Sequence, residues 1–171
     1  MADPTTTSTP QERLQPALLD RLTDLEPDVR QESRDKRVLT KNALREAVLR
    51  DLAWLFNSTR PNDLEWAAYP HARQSVLNFG LPALSGETAS SLDVPGLEAS
   101  IRRAIIDFEP RIVPRSLKVQ AQMTDQQMSH HNVLSIRIAG LLWAQPVPLE
   151  LTLRTQLDLE TGQVEIHDLS R

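Results

Sequence analysis

The chain has 171 residues, of which 40 % are hydrophobic, so it is long enough to bury the core of one domain. Its formal net charge of −4 and its pI near 5.6 argue against nucleic acid as the main partner, because phosphate binding needs a basic face. The sequence contains no cysteine, which excludes disulfides and thiolate zinc sites.

The start of the chain predicts a flexible arm, and the composition predicts no membrane span. Residues 1–15 are rich in threonine and proline and cannot bury enough apolar surface to order themselves. We therefore predict a disordered N-terminal arm over residues 1–15 and a single domain over residues 16–171. The aliphatic stretch at residues 133–144 is too short and too polar to cross a bilayer, so we expect no direct membrane insertion.

Three segments carry the spacing of amphipathic helices. The second is expected to begin after the N-cap Thr40, and Pro95 and Gly96 open the third. The three apolar stripes comprise Leu18, Leu19, Leu22 and Leu25; Leu44, Val48, Leu52 and Leu55; and Leu97, Ile101, Ile105 and Phe108.

Two features beside these stripes give weaker predictions. Trp54 lies off the stripe of the second helix; it could contact a partner, but we predict that it packs in the core. Residues 62–93 are punctuated by proline and glycine and predict a long irregular segment. Within it, Val76, Leu77 and Phe79 are candidates for anchoring the segment on the core.

The pattern changes to strict alternation of apolar and polar residues after the third helix. Four alternating segments predict half-buried strands at residues 117–123, 134–138, 149–159 and 164–166. Gly162 predicts a hairpin turn before the last of them. We therefore predict an α+β fold, with N-terminal helices packed on one face of a mainly antiparallel four-stranded sheet.

The segment Glu109-Pro110-Arg111 joins the third helix to the first strand. Pro110 cannot continue a helix, so it fixes a turn between two oppositely charged side chains. The pair could stabilise the turn internally, or it could form a rigid recognition site for a partner. The residues alone do not decide between these two interpretations.

Catalytic and metal-binding signals are weak throughout the sequence. There is no Gly-rich phosphate loop and no Gly-x-Ser-x-Gly motif. His130 and His131 are adjacent, a spacing unlike that of paired metal ligands on a helix, so we predict no metal site. Glu109 is the carboxylate with the most distinctive setting, but the neighbouring Arg111 makes it poorly suited to act as a general acid. We predict no catalytic residue, with a peptidoglycan-cleaving muramidase as the alternative function.

Four segments in order form a recognisable set. They are Leu18-Leu19-Asp20-Arg21-Leu22-Thr23-Asp24; Ser75-Val76-Leu77-Asn78-Phe79-Gly80-Leu81-Pro82, followed by Leu84-Ser85-Gly86; Glu109-Pro110-Arg111; and Pro148-Leu149-Glu150-Leu151 through Thr155, with Asp158-Leu159 and Gly162. Together they resemble TssE, a baseplate subunit of the bacterial type VI secretion system. The resemblance runs from about residue 14 to the C-terminus, and the Glu-Pro-Arg segment is also shared with the wedge protein of contractile phage tails.

This resemblance implies a structural subunit rather than an enzyme. It implies a cytoplasmic location at the baseplate, beneath the inner-membrane complex, with TssF, TssG and TssK as wedge partners. It implies that the sheet seeds the contractile sheath of TssB and TssC by strand exchange. It also implies that Glu109, Pro110 and Arg111 are partner-binding residues that contact the helical core bundle of the wedge. No cofactor and no nucleic acid are expected.

Overall fold

The computed structural model describes residues 17–23, 27–28, 39–61, 68–73, 75–83, 93–122, 133–144 and 147–170. The predicted arm over residues 1–15 and the pair His130-His131 lie outside these residues. None of the helices in the described ranges is long and apolar enough to cross a membrane.

The described helices begin and end where the sequence supplies caps and breakers. They are α1 (Leu18–Leu22), α2 (Lys41–Phe56), α3 (Pro70–Arg73) and α4 (Val94–Phe108). Thr40 caps α2 as predicted, because its side chain accepts a hydrogen bond from the Ala43 N–H at 3.1 Å. Asp93 caps α4 in the same way by accepting from the Gly96 N–H at 3.1 Å, a cap that the sequence analysis did not identify.

The sheet is a meander in which consecutive strands pair. Its strands are β1 (Lys118–Gln122), β2 (Val133–Leu142), β3 (Leu149–Asp158) and β4 (Val164–Asp168). The strand order is β1-β2-β3-β4, and every pairing is antiparallel. The turn before β4 places Gly162 at a φ of 74°, as the hairpin prediction requires. The predicted α+β fold with a four-stranded antiparallel sheet is confirmed.

The core lies between α2, α4 and one face of the sheet. The predicted stripe of α2 is fully buried, as are three of the four stripe residues of α4. They meet alternate residues of the central strands, including Ile138 and Leu153, neither of which is exposed at all. Burying each such side chain contributes about 1.5–3 kcal/mol, so this layer supplies most of the driving force for folding.

Several apolar side chains lie outside this core, contrary to prediction. Trp54 is 52 % exposed because it falls outside the buried arc of α2, where the guanidinium of Arg50 lies 5.3 Å from its ring centre. Val76 and Leu77 are 79 % and 65 % exposed, so they do not anchor their segment. Phe79 does anchor it, since its ring packs edge-on against Phe108 with centroids 5.3 Å apart.

Both outer edges of the sheet are partly capped by side chains from the helical layer. The side-chain amide of Asn57 donates to the Val164 carbonyl at 3.0 Å and accepts from its N–H at 2.9 Å. At the opposite edge, Glu98 accepts from the N–H of Ala121 at 2.6 Å. Each cap satisfies backbone groups that an edge strand would otherwise present to another chain.

Candidate partner-binding site

The corner formed by Glu109, Pro110 and Arg111 ends α4 and is fixed by an ion pair within the chain. Glu109 is only 2 % exposed, although it carries a charge. Arg111 donates from Nε to one carboxylate oxygen at 2.6 Å and from Nη2 to the other at 2.5 Å. The Arg111 backbone N–H adds a third hydrogen bond at 3.1 Å. The structure thus contains the internal pair that the sequence analysis left as one of two interpretations.

The same arginine also reaches a second element. Its Nη2 donates to Asp51 of α2 at 2.5 Å, across a separation of 60 residues in the sequence. Arg50 donates to the other oxygen of Asp51 at 2.9 Å and to Asp20 of α1 at 2.5 Å. Asp20, Arg50, Asp51, Arg111 and Glu109 therefore form a charged chain of alternating sign, which connects α1 to the corner through α2.

Both arginines of the charged chain are held firmly in their ionised form. Burial of Arg111 opposes its charge, but hydrogen bonds and charges from Glu109 and Asp51 outweigh that effect and raise its pKa above the ordinary value. The hydrogen bond that Arg50 donates to Asp20 is the main cause that raises the pKa of Arg50. The site is therefore a fixed electrostatic structure that does not titrate at its two cations near neutral pH.

Backbone hydrogen bonds join the corner to the end of β2. The Trp143 N–H donates to the Arg111 carbonyl at 2.7 Å, and the Val113 N–H donates to the Leu141 carbonyl at 2.8 Å. Ile112, between them, is fully buried and forms a bridge to the last residue of the strand. The corner is thus held by the sheet as well as by the charged chain, which makes it rigid.

Exposed apolar side chains lie beside the corner and along the charged chain. Trp143 is 56 % exposed beside Arg111, and Trp54 covers Arg50 while remaining half exposed. Leu18 and Leu22 of α1 are 71 % and 73 % exposed on the helix that Asp20 connects to Arg50. Tryptophan and arginine are residue types that are enriched at protein interfaces.

The geometry of Glu109 is unsuited to general-acid catalysis. Its carboxylate is buried and engaged by three N–H groups of Arg111, so it does not face solvent where a polysaccharide could bind. In the part of the chain that the structure describes, no group of three or more His, Asp or Glu side chains could hold a metal ion.

The corner was predicted from the sequence, but most of the charged chain was not. Arg103 and Arg115 also lie near Glu109 in the sequence, but Arg103 pairs with Asp107 at 2.7 Å and Arg115 is exposed. Asp51 and Arg50 lie beside the buried stripe of α2, where charged residues are ordinary, so nothing in their spacing marks them. Asp20 lies within the first segment that resembles TssE, and this resemblance was the one sequence signal that could have pointed to a member of the charged chain.

Comparison with known proteins gives one match. The model of a protein family described as baseplate wedge protein gp25 matches residues 42–147, which is more than half of the chain. The matched range contains α2, the corner and its connection to β2. No curated protein and no solved structure gave a significant match.

Proposed function

Because the chain belongs to the baseplate wedge protein gp25 family, we propose that it is a structural subunit of a type VI secretion baseplate. In this proposal it links the wedge core bundle to the contractile sheath and initiates sheath polymerisation. Membership of the family implies interaction with other baseplate proteins, and we assign these as TssF, TssG and TssK in the wedge and TssB and TssC in the sheath. The proposed location is cytoplasmic, at the baseplate beneath the inner-membrane complex.

The proposed contact with the wedge rests on one observation: the corner is rigid, and exposed apolar side chains lie near it. In our proposal Glu109 acts from the interior by fixing Arg111, while the exposed Pro110 and Trp143 meet the core bundle. A partner that binds this surface orders few side chains, because the charged chain and the sheet already hold it. Preorganisation of this kind lowers the entropic cost of association.

The sheath contact is assigned to the outer edge of β4. Both backbone groups of Val164 point outward to Asn57, and alternate residues of a strand point the same way, so those of Ile166 also point outward. The helical layer approaches both edges: α4 packs on β1, where Glu98 occupies the N–H of Ala121, and α2 packs on β4 beside Asn57. By the same alternation β1 keeps one outward residue without such a cap, Val119, whereas β4 keeps two, Ile166 and Asp168. We therefore assign the added strand to β4.

Replacing Ile166 with proline tests this assignment. The substitution removes one outward N–H without breaking a hydrogen bond to β3, and proline is tolerated at such edge positions. Tagged protein expressed in its native cells should then still co-purify the wedge proteins TssF, TssG and TssK but no longer nucleate sheath. Co-purification measures wedge assembly, and the number of fluorescent sheaths per cell measures sheath nucleation.

Val119→Pro is the matched control, since Val119 is also a half-buried edge residue whose N–H points outward. We expect it to retain both wedge proteins and sheath. If Val119→Pro abolished sheaths and Ile166→Pro did not, the assignment to β4 would be wrong. Failure of the unmodified protein to co-purify any wedge component would contradict the baseplate role itself.

A further inference from the structure

The face of the sheet opposite the helices carries a row of basic side chains. Arg137 of β2 stands directly opposite Arg154 of β3, and Arg154 stands opposite His167 of β4. All three are exposed. Lys118 of β1 is also exposed on this face, paired with Ala139 in the next row. The row spans two strand spacings, or about 10 Å.

This arrangement is unfavourable for the isolated chain. Like charges directly opposite each other on neighbouring strands repel, and no ion pair involves Arg137 or Arg154 among the described residues. The chain nevertheless carries an excess of acids, with a net charge of −4. Other arginines do have carboxylate partners at 4 Å or less, namely Arg45, Arg50, Arg103 and Arg111.

We propose that this basic row docks an acidic protein surface, with partner carboxylates placed between Arg137 and Arg154. A carboxylate there would replace a repulsive contact by two charge-assisted hydrogen bonds. The proposal does not depend on the corner or on the β4 edge, because the row lies on the open face of the sheet.

The surroundings of the row favour carboxylates over a nucleic acid. Glu165, whose carboxylate lies 3.8 Å from His167, and Glu150 are exposed on the same face, so the basic area is narrow and bordered by acids. A duplex would bring a continuous line of phosphates over these acidic residues, and its affinity depends on many simultaneous phosphate contacts. Separate carboxylates on a folded partner can contact the basic row without approaching the acidic residues that border it.

Arg154→Glu tests the proposal in the full-length protein. Fluorescence anisotropy with a labelled hexaglutamate peptide at about 0.01 M salt should show binding that weakens at about 0.15 M, where charges are screened over shorter distances. The variant should bind this peptide about tenfold more weakly. The same substitution places a glutamate opposite Arg137 and should raise the urea midpoint of the free protein. Weaker binding by a more stable protein excludes unfolding as the cause.

Lys41→Glu is the matched control, because it makes the same change in net charge at an exposed position of α2, on the other side of the sheet. It should leave hexaglutamate binding unchanged. If both variants lost hexaglutamate binding equally, the effect would come from net charge alone and the proposal would be overturned. Absence of binding by the unmodified protein, or tighter binding of a short DNA duplex than of hexaglutamate, would also overturn it.

Discussion

Replacement of Arg111 by alanine is expected to lower the free energy of unfolding by about 3–5 kcal/mol. The variant leaves the carboxylate of Glu109 buried at 2 % exposure without two of the three N–H groups that now satisfy it, the Nε and Nη2 donors of Arg111. The backbone N–H remains, but an unpaired charge in this position is costly. Since the total stability of a domain of this size is about 5–15 kcal/mol, urea denaturation followed by circular dichroism should detect the loss readily.

Arg103→Ala provides a surface ion pair for comparison. Its partner is Asp107, one helical turn later on α4, and the two side chains are 67 % and 34 % exposed. Pairs exposed to this degree contribute about 0.5 kcal/mol or less. If Arg111→Ala cost no more than Arg103→Ala, the charged chain would not be a structural element of the fold.

A double substitution separates the structural role of the corner from its proposed interface role. Glu109→Leu with Arg111→Met replaces the buried pair by apolar side chains and is expected to recover most of the stability lost in Arg111→Ala. Such a protein should be folded yet fail to co-purify TssF, TssG and TssK, because the fixed guanidinium is gone. If the double variant still co-purified these proteins normally, the role of the Glu109–Arg111 pair would be structural only.

The helices, strands and core were predictable because each depends on local periodicity. The stripe from Leu44 to Leu55 and the alternation in β3 follow directly from burial on one face, and Thr40 and Pro110 mark helix ends by their own chemistry. Trp54 was predicted wrongly because a large apolar side chain can also cover a neighbouring guanidinium at the surface.

The charged chain was not predictable for a different reason. Its contacts join residues 30 and 60 positions apart, and each member taken singly looks like an ordinary surface charge on a helix. Only the tertiary packing of α1, α2 and the corner brings the alternating charges together. Three of the four segments that carry the resemblance are connected in this way. Asp20 and Arg111 join through Arg50 and Asp51 of α2, and Phe79 packs on Phe108, next to Glu109.

Gly80→Ala is expected to destabilise the protein by about 3–5 kcal/mol through the segment that Phe79 anchors. Gly80 has a φ of 120°, which an L-residue rarely adopts, and a Cβ there would overlap the carbonyl group of Ser58. Two hydrogen bonds hold the segment at this point, from the Leu81 N–H to Ser58 at 2.9 Å and from the Arg60 N–H to Leu81 at 2.8 Å. To accommodate a methyl group, the backbone must give up at least part of this contact.

Gly162→Ala isolates the conformational part of that cost. Gly162 also has a positive φ, at 74°, but no atom lies within 4 Å of a Cβ built on it. We expect a loss of only about 1 kcal/mol, since the chain pays for backbone strain without a collision. Thermal denaturation of both variants gives the comparison, and equal losses would show that crowding against Ser58 is unimportant. A larger loss at Gly80 would mean that residues 75–83 are held by backbone contact with Ser58 and Arg60, just after α2, which explains why a glycine stands in that motif.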